Sequence, residues 1–123
     1  MIAGVVNANL EPVIALRIRS IKGIEIDVDA VVDTGFSGFL TLPAPAVTSL
    51  GLSRYSVSSA MLADGNVCHF DLYQAEVHWD KTWRRVLFTA LGKEVLAGMQ
   101  LLNGYELRVV ARANGPVTIS PLP

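Results

Sequence analysis

At 123 residues, 51% of them hydrophobic and 17% charged, the chain fits one compact domain spanning residues 1–123 and excludes two domains or a disordered segment. A net charge of −1 with dispersed Lys and Arg excludes the electrostatic footprint of a nucleic-acid binder or of a protein drawn to anionic lipid. One cysteine, Cys68, rules out an intrachain disulfide and suits a reducing compartment.

The N-terminus lacks a basic n-region, and no apolar run approaches the ~18 residues of a spanning helix, so a soluble, cytoplasmic protein is expected. The apolar surplus has two readings: a well-filled β core, or an obligate homodimer whose interface resembles a core cut in half.

Residues 10–18 alternate and are rich in β-formers, and Lys22-Gly23 separates them from a second alternating run over 24–32, which together read as a hairpin. In the second run Ile24, Ile26, Val28, Ala30 and Val32 share one face. Glu25, Asp27, Asp29, Val31 and Asp33 share the other. Carboxylates two apart on an antiparallel strand mark its solvated side, and no metal is expected there. The run passes directly into Asp33-Thr34-Gly35, then Phe36-Ser37-Gly38 and a second apolar strand, Phe39-Leu40-Thr41-Leu42-Pro43. A carboxylate between two buried strands is costly unless it is paired or hydrogen-bonded. Asp-Thr-Gly also suits an ordinary β-turn on local chemistry alone.

Pro43-Ala44-Pro45-Ala46 is predicted to start a short helix that Gly51 closes. Strands over 55–62 and 67–79 are joined at Ala63-Asp64-Gly65-Asn66, where Asp-Gly between β-rich runs is a hairpin signal. Cys68 and His69 point to opposite faces of one strand and His78 is remote, so zinc spacing is absent. Asp80-Lys81-Thr82 is predicted to turn, with Trp79 and Trp83 covering core or cross-strand neighbours. A strand over 86–91 follows, with 94–97 as its candidate partner. One helical turn over 99–102 ends at Asn103-Gly104, and strands over 105–111 and 117–119 close the chain around Asn114-Gly115.

Two segments together resemble the retropepsin-like (clan AA) aspartic proteases: Ala30-Val31-Val32-Asp33-Thr34-Gly35 with its following Leu-Pro strand, and Val95-Leu96-Ala97-Gly98-Met99-Gln100-Leu101-Leu102. With the intervening hairpin, the likeness runs from about Leu10 to about Val110. It implies an all-β closed barrel of the acid protease fold with one or two short helices, assembled as a homodimer and acting on a peptide or protein without cofactor or metal. It also implies that Asp33 is catalytic with Thr34 and Gly35 as its support, and that Thr34 hydroxyls bind across the dimer. Leu62, Ala63, Asp64, Gly65 and Asn66 would form a substrate-covering flap, and Gly98 a close approach to the Asp33 loop. Any all-β protein also has hairpin turns of this kind.

Hydrolysis by carboxylates needs two of them sharing one proton, so that one activates water while the other protonates the carbonyl. The chain holds one Asp-Thr-Gly, and two-fold pairing of Asp33 would supply the dyad. Phe36 departs from the small residue usual in the family, and as a substrate-binding residue it narrows or fills the cleft, unless its ring turns into the core. The second functional class is a catalytically inactive module of the same fold that dimerises or binds peptide.

Overall fold

Strands dominate because β-branched and large apolar residues recur at every second position, and a strand with that pattern buries one face only when it joins a sheet. The computed structural model describes residues 1–61 and 63–123; Leu62, expected in the flap, lies outside the described residues. The elements are β1 (Ile2–Val6), β2 (Pro12–Arg19), β3 (Glu25–Val32), β4 (Leu40–Leu42), α1 (Ala44–Leu50), β5 (Arg54–Met61) and β6 (Val67–Trp79). They continue as β7 (Thr82–Ala90), β8 (Val95–Ala97), α2 (Met99–Leu102), β9 (Tyr105–Val109) and β10 (Pro116–Pro121).

Six of these strands close on themselves in the order β6-β7-β4-β8-β3-β2, and Ile18↔Val77 with Arg19↔Glu76 joins β2 back to β6. The barrel interior follows from the alternation: Ile14, Leu16 and Ile18 of β2 are buried while Ala15 and Arg17 face out. Leu40, Leu42, Val77, Phe88 and Ala97 fill the same core, with Leu50 of α1 and Leu101 of α2 covering it. On β3 the acidic side is solvated as expected, with Glu25, Asp27 and Asp29 exposed and Asp27 bound to Arg17 at 2.8 Å. Outside the barrel, β5 extends the sheet beyond β6, and β1, β10 and β9 extend it beyond β2. Among the described residues no helix is long and apolar enough to cross a membrane.

Several sequence expectations shift. The first barrel strand starts at Pro12 rather than at 10, because Leu10 lies at φ 61 in a turn whose Asn7 side chain accepts the amides of Asn9 and Glu11. Asp80 and Lys81 both adopt positive φ, a two-residue reversal that lets β7 begin at Thr82 and pair His78 with Trp83. The ring of Trp83 lies under the Arg19 guanidinium, 3.9 Å from its centroid, while Trp79 is buried edge-on to Tyr105. Segment 94–97 does not pair with β7 as expected. Instead β8 runs parallel to β3 and antiparallel to β4, and β4 separates it from β7. β1, read only for targeting signals in the sequence, pairs with both β2 and β10.

Thr41 is the buried polar residue that ties β4 to β8. Its Oγ1 donates to the Glu94 carbonyl at 3.0 Å and accepts the Leu96 amide at 2.8 Å. Thr41→Val keeps the shape but strands both main-chain groups, so stability in urea is expected to fall by about 2–4 kcal/mol. A loss below about 0.5 kcal/mol would show that water replaces the hydroxyl.

Candidate functional site

The Asp33 loop crosses the end of β8, and main-chain hydrogen bonds hold the two segments together. Asp33 N–H donates to the Ala97 carbonyl (2.9 Å), Gly98 N–H to Phe39 (2.9 Å), Met99 N–H to Phe36 (2.8 Å) and Gln100 N–H to Gly38 (3.1 Å). The approach is close enough to demand glycine at 98. A Cβ there would lie 2.5 Å from Phe36 Cδ2, 2.7 Å from the Phe36 carbonyl oxygen, and in collision with the Gly38 carbonyl. The two sequence motifs therefore meet in space, and Gly98 fills the role of close approach.

Within the loop, Gly35 N–H donates to Asp33 Oδ1 at 2.9 Å, and Phe36 N–H donates to the Asp33 carbonyl at 3.1 Å. This local turn orients the carboxylate and leaves Oδ2 without a protein partner among the described residues. Asp33 is half-buried, and Thr34 and Gly35 are exposed. The Phe36 ring lies over Gly38 and faces the Gly98 backbone, half-buried against its own loop rather than in the barrel core.

Asp33 and Thr34 line an open groove of about 570 Å³ whose walls include Pro12, Val31, Leu96, Leu107 and Val109. Thr34 also lines an adjoining depression of about 350 Å³, with Met99, Leu102, Tyr105 and Leu107. A further depression of about 330 Å³, lined by Lys22, Leu52, Arg54 and Tyr55, holds none of the Asp33 loop residues.

Against solved structures, the chain is similar to a retropepsin-like aspartic protease from Rickettsia conorii, with a TM-score of 0.62 and 16% identity over 97% of this chain and 91% of that one. The fold is retropepsin-like. No family model matches the sequence, and no curated protein matches it.

In this retropepsin-like chain, Ala63, Asp64, Gly65 and Asn66 form the tip of the β5–β6 hairpin. Asp64 Oδ1 accepts the Asn66 amide at 2.9 Å, and Gly65 takes φ 86. None of these four lines the groove at Asp33. Tyr55, Val57, Met61 and Val67 leave the hairpin with exposed apolar side chains. Sequence reasoning missed Glu11 and Glu94, which line the Asp33 groove. Glu94 adjoins the second motif, a positional hint; Glu11 has no local signal, since the fold alone brings it there.

Proposed function

We propose that the chain is a homodimeric aspartic endopeptidase in which Asp33 of two copies forms the catalytic pair. The observation that carries this reading is the carboxylate itself: it is held on a hydrogen-bonded loop, with one oxygen on the Gly35 amide, and its residue lines a groove. Two such groups in contact cannot both ionise, so one stays protonated and polarises the peptide carbonyl while the other takes a proton from the attacking water. Thr34 and Gly35 support the pair, Phe36 shapes the substrate site beside it, and the hairpin with residues 63–66 at its tip closes over a peptide or protein substrate. No cofactor or metal enters this chemistry. A cytoplasmic setting suits the single Cys68.

One observation favours the second reading, an inactive module that dimerises or binds peptide: the Asp33 bonds to Gly35 and Phe36 are those of an ordinary turn. Digestion of a mixed-peptide library by the protein and by Asp33→Asn separates the two. Cleavage that vanishes in the variant supports the protease, and no cleavage by a dimeric wild type supports the module.

The lid role has its own test in Gly65→Val. A Cβ at 65 meets no atom of the described residues within 4 Å, so the penalty is backbone strain, about 1–3 kcal/mol at the hairpin tip. The expected result is a fall in kcat/KM of about tenfold with the melting temperature within a few degrees of wild type. Unchanged kinetics on a substrate long enough to fill the groove would mean that this turn is not a lid.

A further inference from the structure

Strand β6 changes partner along one of its edges. The edge away from β7 pairs with β2 at Val77 and Glu76, and with β5 from Tyr73 onward, so neither ladder pairs Gln74 and Ala75. At Ser20 the chain after β2 folds back toward β3, with Ser20 N–H donating to the Ile24 carbonyl (2.8 Å) and Gly23 N–H to the Ser20 carbonyl (2.9 Å). β5 begins only after α1 has closed at Gly51, and its register is irregular between Arg54 and Ser56. The two-residue reversal at Asp80 and Lys81 makes Trp79 and Thr82 a hydrogen-bonded pair, so the odd residues of β6 bond to β7. The N–H and C=O of Gln74 therefore point into the gap, and no turn or loop residue among the described ones takes up that N–H.

At this gap lies the depression of about 330 Å³, and it is a pocket of donors. Ser20 is only 3% exposed; its hydroxyl oxygen accepts the Ile24 amide at 3.1 Å, but the hydroxyl proton goes to no protein group among the described residues. Lys22 and Arg54 add two cations, and none of the described lining residues is acidic. Arg54 meets Asp71 at 3.6 Å with both side chains well exposed, a weak contact that leaves most of its five N–H donors available. Ile21, Leu52 and Tyr55 supply an apolar wall, with Ile21 and Tyr55 exposed in the single chain. We infer that this pocket binds the C-terminal residue of a peptide. The carboxylate sits among Ser20, Lys22, Arg54 and the Gln74 amide, and the apolar side chain lies against Ile21, Leu52 and Tyr55.

Size and chemistry select that ligand. The volume lies at the lower end of the about 300–1,000 Å³ usual for ligand pockets, enough for one residue and too small for a long acyl chain. Phosphate would satisfy the donors and leave the apolar wall wet. A chain end carries its carboxylate and its side chain on one carbon, so both halves of the pocket are filled at once, and capture of a terminal carboxylate by main-chain donors is a known mode of peptide recognition. The bound residue joins the β2–β3 turn, the end of α1 and the root of the β5–β6 hairpin, three elements that meet only here. The site shares no residue with the Asp33 loop, so the inference stands apart from the protease reading.

The experiment is isothermal titration calorimetry of the full chain with acetyl-Gly-Gly-Leu, its C-terminal amide and acetyl-Gly-Gly-Gly. It is repeated on Lys22→Gln, Arg54→Gln and Asp33→Asn, with circular dichroism as the folding control. Lys22 and Arg54 are exposed, so both variants keep the fold. The leucine acid is expected to bind with a Kd of about 0.1 mM, and the amide and the triglycine acid at least about tenfold more weakly. Each cation variant is expected to weaken the leucine acid about five- to tenfold, and Asp33→Asn to bind it as wild type does. No binding at millimolar peptide, an amide or a triglycine that binds as well as the leucine acid, or indifference to both cation variants would each overturn the inference. Binding that vanishes in Asp33→Asn assigns the peptide to the Asp33 groove and also overturns it. Binding that follows this pattern in a protein that cleaves nothing overturns the protease reading and leaves the pocket standing. Asp33-dependent cleavage without such binding does the reverse.

Discussion

Asp33→Asn is expected to lower kcat for peptide hydrolysis by about 10³-fold, in line with removing a positioned acid–base group, while leaving the fold intact. Asparagine is nearly isosteric with aspartate, and its Oδ1 can still accept the Gly35 amide that Asp33 holds at 2.9 Å. The Asp33 amide bond to Ala97 involves only main chain, so the clamp onto β8 survives as well. What disappears is the ionisable carboxyl at the groove, and with it both the shared proton and the base. The check is a peptide-library assay alongside thermal melting and sedimentation. Cleavage at the wild-type rate would end the carboxylate mechanism, and a melt lowered by tens of degrees would mean that the charge serves the fold instead.

Gly98→Ala is expected to cost at least about 3 kcal/mol and to abolish whatever activity depends on the Asp33 loop. The added carbon meets the Gly38 carbonyl, the Phe36 carbonyl oxygen at 2.7 Å and Phe36 Cδ2 at 2.5 Å. A ring can swing aside at modest cost, but two carbonyls belonging to a hydrogen-bonded loop cannot. Relief therefore requires the loop to lift, breaking the Met99 bond to Phe36 and the Gln100 bond to Gly38. Adding Phe36→Ala removes only the ring contact, so the double variant is expected to recover a minor part of the loss in urea unfolding. Full recovery would show that the ring, not the backbone, sets the demand for glycine at 98. At Gly65 no atom of the described residues stands in the way and the backbone angle decides, whereas at 98 the angle is ordinary and the space decides.

Local chemistry in the sequence determined the strands that alternate, the helix that starts after Pro43 and stops at Gly51, the reversal at Asp64-Gly65 and the loop at Asp33. Each depends on residues within a few positions of one another, through period-two burial, proline and glycine geometry or a side chain bonding its own backbone. The likeness of two short segments to a family also anticipated the closed barrel and the meeting of Gly98 with the Asp33 loop, although neither segment carries a distance in itself. Tertiary structure alone decided the rest. β8 is three residues long and pairs parallel to β3 and antiparallel to β4, and β4 pairs parallel to β7, because these pairings are set by barrel closure and not by any turn in the chain. β1 joins the sheet only because β2 and β10 leave a slot between them. Glu11 and Glu94 are far apart in sequence and reach one groove through the same closure.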